Sequence, residues 1–191
     1  MRTGHTSWAI GLLLAFSGGA ALADDRAVLI EAFSKAMAKG SYSMQMETQV
    51  KGKPYSTQMK VMFPDRYHMR TPDTEIIILP EGTWMNAGGQ WMKVPMNMSQ
   101  MIAGYSKQAM EEGMGSISDV TRTGSEDIDG CTADLYSYRT SGEFMGVKNA
   151  STQVAAICRD NGLPVRLVSE GKDAVTIHYD FESEVRISPP N

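Results

Sequence analysis

Between Asp25 and Lys39 the apolar residues fall at helical spacing. Val28, Leu29, Ala32, Phe33, Ala36 and Met37 share one face, and Gly40 stands where a C-terminal cap would. From Ser41 the period changes to two. Tyr42, Met44, Met46, Thr48 and Val50 alternate with Ser43, Gln45, Glu47 and Gln49, the pattern of a strand with one wet face. Gly52-Lys53-Pro54 turns the chain. Thr57, Met59, Val61 and Phe63 then face one side, with Ser56, Gln58 and Lys60 on the other, so the two segments read as a hairpin.

Pro64-Asp65 closes that strand, and Tyr67 and Met69 share a face of the next, Arg66 to Arg70. Thr74 to Leu79 is an apolar run bounded by Pro72-Asp73 and Pro80-Glu81-Gly82, the signature of a more deeply buried strand. Trp84-Met85 and Trp91-Met92 flank the turn Asn86-Ala87-Gly88-Gly89 and predict another hairpin. Helical spacing returns from Met96 to Met110, in Met98, Met101, Ile102, Tyr105, Ala109 and Met110. Pro95 precedes this helix, Asn97 or Ser99 can cap it, and Gly113 and Gly115 end it.

The second half is strand-like almost throughout. Segments 117–123, 131–139, 152–159, 163–168, 174–181 and 185–187 are separated by Asp129-Gly130, Ser141-Gly142, Asn161-Gly162 and Gly171-Lys172. The expected architecture is mainly β with helices (α+β): about ten antiparallel strands, one helix before them and one amid them. A sheet of that size with one apolar face must curl around the helices or close on itself.

The ends of the chain change the picture. Arg2, the apolar run Ile10 to Phe16 and Ala21-Leu22-Ala23 are the three parts of a cleavable secretory signal over residues 1–23. The run is too short for a membrane span, which takes about 20 apolar residues. Residues 24–191 are then one soluble, exported domain of 168 residues, without a cysteine near the cleavage site for lipid modification. The formal charge of −4 becomes −5 once Arg2 is removed, and the basic residues are scattered. Nucleic acid and anionic membrane surfaces are poor partners for such a chain. In an oxidising compartment the two cysteines, Cys131 and Cys158, read as one structural disulfide. A hairpin centred near Phe144 and Met145 would set them directly opposite each other.

No enzymatic constellation emerges. His68 and His178 each lie on the polar face of a strand, the serines lack a nucleophile-elbow setting, and no phosphate-cradling glycine loop occurs. No catalytic residue, cofactor or metal site is expected from these patterns. The distinctive feature is methionine, 15 in all. Met44, Met46 and Met59 fall on the apolar side of their strands, with Tyr42, Val61 and Phe63. An adaptable apolar cavity, ordinary core filling and thioether binding of Cu(I) are the three readings of such a cluster.

The order of these pieces resembles the LolA-like outer-membrane lipoprotein-sorting proteins. The residues that carry the resemblance are Phe63-Pro64-Asp65-Arg66-Tyr67 entering a new strand, the apolar strand Glu75 to Leu79, and Gly82-Thr83-Trp84. To these are added Ile157-Cys158-Arg159-Asp160-Asn161-Gly162-Leu163-Pro164-Val165-Arg166, and Tyr179-Asp180-Phe181 to Val185-Arg186-Ile187. The resemblance implies an incomplete antiparallel β-barrel whose open side is covered by helices. It also implies a non-catalytic, periplasmic binder or carrier of lipids or lipoprotein acyl chains, with an envelope membrane complex as a partner. Met44, Met46, Met59, Phe63, Tyr67, Met69, Trp84, Trp91, Met98 and Met101 are the residues expected to touch the ligand, with the second helix as a movable lid. A Cu(I)-binding protein using its Met-x-Met clusters, or a periplasmic sensor or interaction domain, are the alternatives.

Overall fold

Alternation over the first hairpin does produce one, and the whole sheet grows from it. In the computed structural model, which describes residues 19–144, 147–171 and 174–190, helix α1 (Gly19–Ala38) leads directly into β1 (Ser41–Val50). Gly40, at φ +74°, ends the helix with its amide donating to Met37 O at 3.1 Å. β1 pairs antiparallel with β2 (Lys53–Met62), from Ser41 opposite Met62 to Val50 opposite Lys53. The turn residues Lys51 and Gly52 both take positive φ, as a two-residue hairpin requires.

β3 (Arg66–Arg70), β4 (Thr74–Leu79), β5 (Gly82–Ala87) and β6 (Gln90–Val94) add on one side as a meander. Helix α2 (Ser99–Gly115) follows, then β7 (Ser118–Ile128), β8 (Cys131–Phe144), β9 (Val147–Cys158), β10 (Pro164–Ser169) and β11 (Val175–Asp180). The eleven strands form one antiparallel sheet in the order β6-β5-β4-β3-β2-β1-β11-β10-β9-β8-β7. Its centre is the pairing of β1 with the last strand, Met44 opposite Tyr179 and Met46 opposite Ile177. β6 and β7 stand at the two ends of the order, so the barrel is incomplete, as expected.

Both helices lie on the same face of the sheet, here called the inner face. On α1, Leu29 and Ala32 are buried against Ile117, Val120, Tyr136, Tyr138, Ala155 and Ile157, with Val28 and Phe33 packed alongside. At the start of α2, Met98 and Ile102 pack on Val61, Tyr67 and Ile78. The register joins these two patches. Tyr136 faces Ala155, Ala155 faces Leu167, Leu167 faces Ile177, and Ile177 faces Met46 on the strand that carries Tyr42.

Three expectations are corrected. Val185 to Ile187 is not a strand. Its apolar alternation instead sets Val185 and Ile187 against Ile77 and Leu79 on the outer face. Helix α2 starts at Ser99 rather than Met96, and it ends at Gly115, the second of the two expected glycines. The cysteines form their disulfide, with Cα atoms 5.8 Å apart, but they are not directly opposite. Phe144 faces Val147 and Ala133 faces Cys158, so the hairpin closes one residue later than its sequence midpoint, over 145–146, which lie outside the described residues. The bridge is diagonal, from the first residue of β8 to the last of β9.

Candidate functional site

The strand alternation places an apolar row across the inner face. Tyr179 faces Met44, Met44 faces Met59, Met59 faces Met69, Met69 faces Ile76, Ile76 faces Met85, and Met85 faces Met92. Six inter-strand steps of about 4.8 Å put the ends of this row about 29 Å apart. Met44, Met59, Met69, Ile76 and Met85 are half-buried, and Met92 is exposed. Most of the row is thus partly open to solvent, unlike the sealed core beneath α1.

At its β11 end the row meets a cavity of about 190 Å³ between α1, the end of α2 and the sheet. Phe33, Ala36 and Met37 of α1, Met114 of α2, and Tyr42, Phe63, Pro164, Tyr179 and Phe181 line it. Phe33, Ala36 and Met37 reach it because the i, i+3, i+4 stripe of α1 faces the sheet. Tyr42 sits at the centre of an aromatic group, its ring centroid 6.0 Å from Phe63, 6.0 Å from Tyr179 and 5.3 Å from Phe181. Burial pushes the Tyr179 phenol up to about 12. Burial, and then the neighbouring Tyr179 and Tyr67, push the Tyr42 phenol well above its usual range. The lining therefore carries no charge near neutral pH. No buried side-chain nitrogen or oxygen among the described residues lacks a hydrogen-bond partner. What this cavity offers a ligand is removal from water.

Two larger hollows have mixed linings. One of about 410 Å³ is lined by Met44, Met59 and Tyr179 together with polar neighbours that include Gln45, Gln58, Lys60, His68, Arg70, Asp129, His178 and Asp180. Another, of about 770 Å³, lies by Glu47, Gln49, Ser56 and Thr176. In the first, Glu75 beside the hollow accepts from Arg70 and contacts His68 Nε2, both at 2.6 Å, which ties up its neighbouring cation and one histidine. Burial raises the Glu75 carboxyl, but these two partners outweigh it and hold it below its usual value. With charges of both signs around it, and Arg70 and His68 already held by Glu75, this is a solvated face rather than a site for one ligand class. Among the described residues, one group of three His, Cys, Asp or Glu ligand atoms lies close together, Cys131, Cys158 and Asp160, and its sulfurs are spent in the disulfide.

The start of α2 is fixed to the sheet by polar contacts. Thr83, buried at the β4–β5 turn, accepts the Met98 amide at 3.1 Å. Asn97 accepts the Ser99 amide at 3.0 Å and donates to Pro80 O at 2.6 Å, so it satisfies one amide of the first turn, while Met98 stands at the N-cap position without a side-chain cap. The far end of α2 approaches α1, where Ser34 Oγ lies 3.9 Å from the Met114 sulfur. The helix thus reaches from the β4–β5 corner to α1. The side chains of Tyr105, Ala109 and Met110, expected on its apolar face, lie outside the described residues.

The structure brings Met44, Met46, Met59, Tyr67 and Met69 onto the inner face and Phe63 into the cavity wall. Met98 packs on the inner cluster, whereas Met101, one turn along, is 56% exposed. Trp84 and Trp91 are not with them. Trp84 faces Ile77 and Trp91 faces Asn86, so both point to the outer face, where they pack with Ile77, Leu79, Val185 and Ile187. Phe33, Ala36, Met37, Tyr179 and Phe181 line the cavity but are not among the residues expected to touch a ligand. The signals for them were present in the helical stripe and in the Tyr-x-Phe alternation of the closing strand.

An open antiparallel sheet with helices along one face, and an apolar hollow between them, is the class that the geometry defines. Within it, the chain is similar to LprF from Mycobacterium bovis, with TM-score 0.63 at 15% identity over 88% of this chain and 97% of that one. It is also similar to the Mycobacterium tuberculosis lipoprotein LppX, with TM-score 0.60 at 10% identity over 87% and 99%. A LolA superfamily protein from Nitrosomonas europaea superposes less closely, at TM-score 0.35 and 10% identity over 87% and 94%. The fold expectation is met on the first two alone. No protein-family model matches the chain, and neither does any curated protein.

Proposed function

We propose that this protein is a non-catalytic carrier or reservoir for lipid or lipoprotein acyl chains, exported by a cleaved signal over residues 1–23 and working in the periplasm as a single domain, 24–191. The observation that carries the reading is the uncharged aromatic cavity opening onto the methionine row. A hollow of about 190 Å³ is smaller than the roughly 300–1,000 Å³ of drug-sized ligand sites. It suits the terminal segment of an acyl chain, with the rest laid along the row. Each methylene taken from water contributes about 0.8 kcal/mol without any hydrogen bond. Methionine is unbranched and polarizable, so a wall built of it adapts to chains of different length and saturation.

The sequence resemblance to the LolA-like proteins points the same way. So does the helix set between the two halves of the sheet, whose start rests on two side-chain hydrogen bonds. No helix among the described residues is long and apolar enough to cross a membrane.

Mass spectrometry of organic extracts of protein purified from its native compartment tests the reading. Co-purified lipid is expected, together with saturable uptake of a fluorescent fatty acid. Ala36→Phe, which fills the cavity from α1, is expected to weaken that uptake at least about tenfold while the melting temperature holds. Extracts free of lipid and no uptake by the unaltered chain would sink the proposal.

A further inference from the structure

The methionine row has a feature that acyl binding does not require. Met44, Met59 and Met69 occupy consecutive positions on three adjacent strands, each directly opposite the next. Ile76 then interrupts the run before Met85 and Met92. Met46 lies one residue pair along from Met44 on the same face, opposite Thr57. Strand interiors favour β-branched and aromatic side chains, and methionine is not among them. Three thioethers directly opposite one another are therefore not explained by strand propensity, and an adaptable lipid wall does not require them to be consecutive.

We propose that Met44, Met59 and Met69 form a thioether site for Cu(I), independent of any lipid. Directly opposite residues in an antiparallel pair have Cα atoms about 4.5–5.5 Å apart, so the outer two are about 10 Å apart with the third between them. Methionine has three rotatable side-chain bonds, enough for the outer two sulfurs to converge over the central one. Soft sulfur ligands select Cu(I), whereas hard divalent ions need the carboxylates and imidazoles that this face lacks at these positions. All three residues are half-buried, which leaves an ion a route in and a partly dry place to stay. Tyr179, opposite Met44 on the other side, adds an aromatic ring beside the bound cation. Binding involves no electron transfer: the ion arrives and stays as Cu(I).

The test is anaerobic competition between the purified protein and the Cu(I) complex of bicinchoninate, followed by the loss of the complex's colour. The unaltered chain is expected to withdraw one Cu(I). Altering groups that merely orient a metal ligand costs about 10–100-fold in affinity, so Met59→Leu, which deletes a ligand, is expected to cost at least about 100-fold. The triple variant Met44→Leu, Met59→Leu, Met69→Leu is expected to withdraw none, and Met96→Leu, in the exposed segment before α2, to match the unaltered chain. Leucine keeps the face apolar, so uptake of the fluorescent fatty acid by the same variants reports separately on the lipid reading and on folding. If the triple variant lacks a cooperative melt, Met59→Leu alone carries the test. Copper left with the chelator by the unaltered chain, or withdrawn equally by a folded leucine variant, would overturn the site.

Discussion

Tyr42 and Tyr179 decide what kind of surface the cavity is. Both phenols are held protonated by burial, Tyr179 up to about 12, and no carboxylate, histidine or amine lines the hollow. Nothing there changes charge between about pH 5 and about pH 9. Fatty-acid probe affinity, measured with an esterified probe so that the ligand is also neutral, is expected to stay flat across that window. A titration in affinity near neutral pH would contradict an aromatic, uncharged site.

Asp134 acts at the same scale on stability. It accepts from Arg122 at 2.6 Å and from Arg159 at 2.8 and 2.6 Å, joining β7 and β8 to the turn just after β9. Burial by itself raises its carboxyl, but the hydrogen bonds from Arg159 and Arg122 outweigh that and hold it below the usual range. A carboxylate with a depressed folded-state pKa contributes stability above its unfolded pKa and loses it as pH falls through the folded value. Asp134→Asn is thus expected to lower the melting temperature at neutral pH. The gap from the unaltered chain should narrow through the acid carboxylate range and vanish below it. A gap constant from neutral to acid pH would mean that the charge is not what matters.

At the level of elements, the alternation was a good guide wherever one face is wet. Over Ser41–Val50 and Lys53–Met62 the two faces were legible because Gln45, Glu47, Gln58 and Lys60 mark the outer side, but the register was not: the turn expected at Gly52-Lys53-Pro54 falls on Lys51 and Gly52, with Lys53 and Pro54 paired inside β2. Alternation failed at β5, where Thr83, Trp84 and Met85 are all apolar or buried and either face could be the inner one. The reason is the tail: Val185 and Ile187 cover the outer face over Ile77 and Leu79, so Trp84 and Trp91 are sheltered on the side away from the helices. The same tail read as a strand because Val-Arg-Ile alternates. Alternation reports one-sided burial, and an extended segment packed on a sheet shows it without pairing. Likewise, no residue pattern marks a hairpin centre to a single residue, which is why the diagonal offset of the cysteines was not legible.

The disulfide is the strongest single staple between elements. It closes a loop across a separation of 27 residues, for which chain entropy gives about 3–4 kcal/mol. Cys131→Ser with Cys158→Ser is expected to lose about that much in urea unfolding under oxidising conditions, with fatty-acid uptake retained by the folded fraction. A loss well under about 1 kcal/mol would show that the reduced hairpin is already held by its strand pairing.

For the whole molecule, the open order of eleven strands explains why part of the site was hidden in the sequence. The cavity draws on α1, β1, β11 and the end of α2, segments separated by most of the chain, and only the β1–β11 pairing brings them together. The methionine row was visible as Met44-x-Met46 and Met59, but its extension to Met85 and Met92 needs the registers of five strand pairs. The proposed carrier function rests on that assembled inner face. A photoreactive diazirine fatty acid, cross-linked to the purified protein and mapped by peptide mass spectrometry, tests it most directly. The account expects label on the inner face, at Phe33, Tyr42, Met44, Met59, Tyr179 and Phe181, and little on Trp84 or Trp91. Label concentrated on the tryptophan face, or spread evenly over the surface, would contradict it.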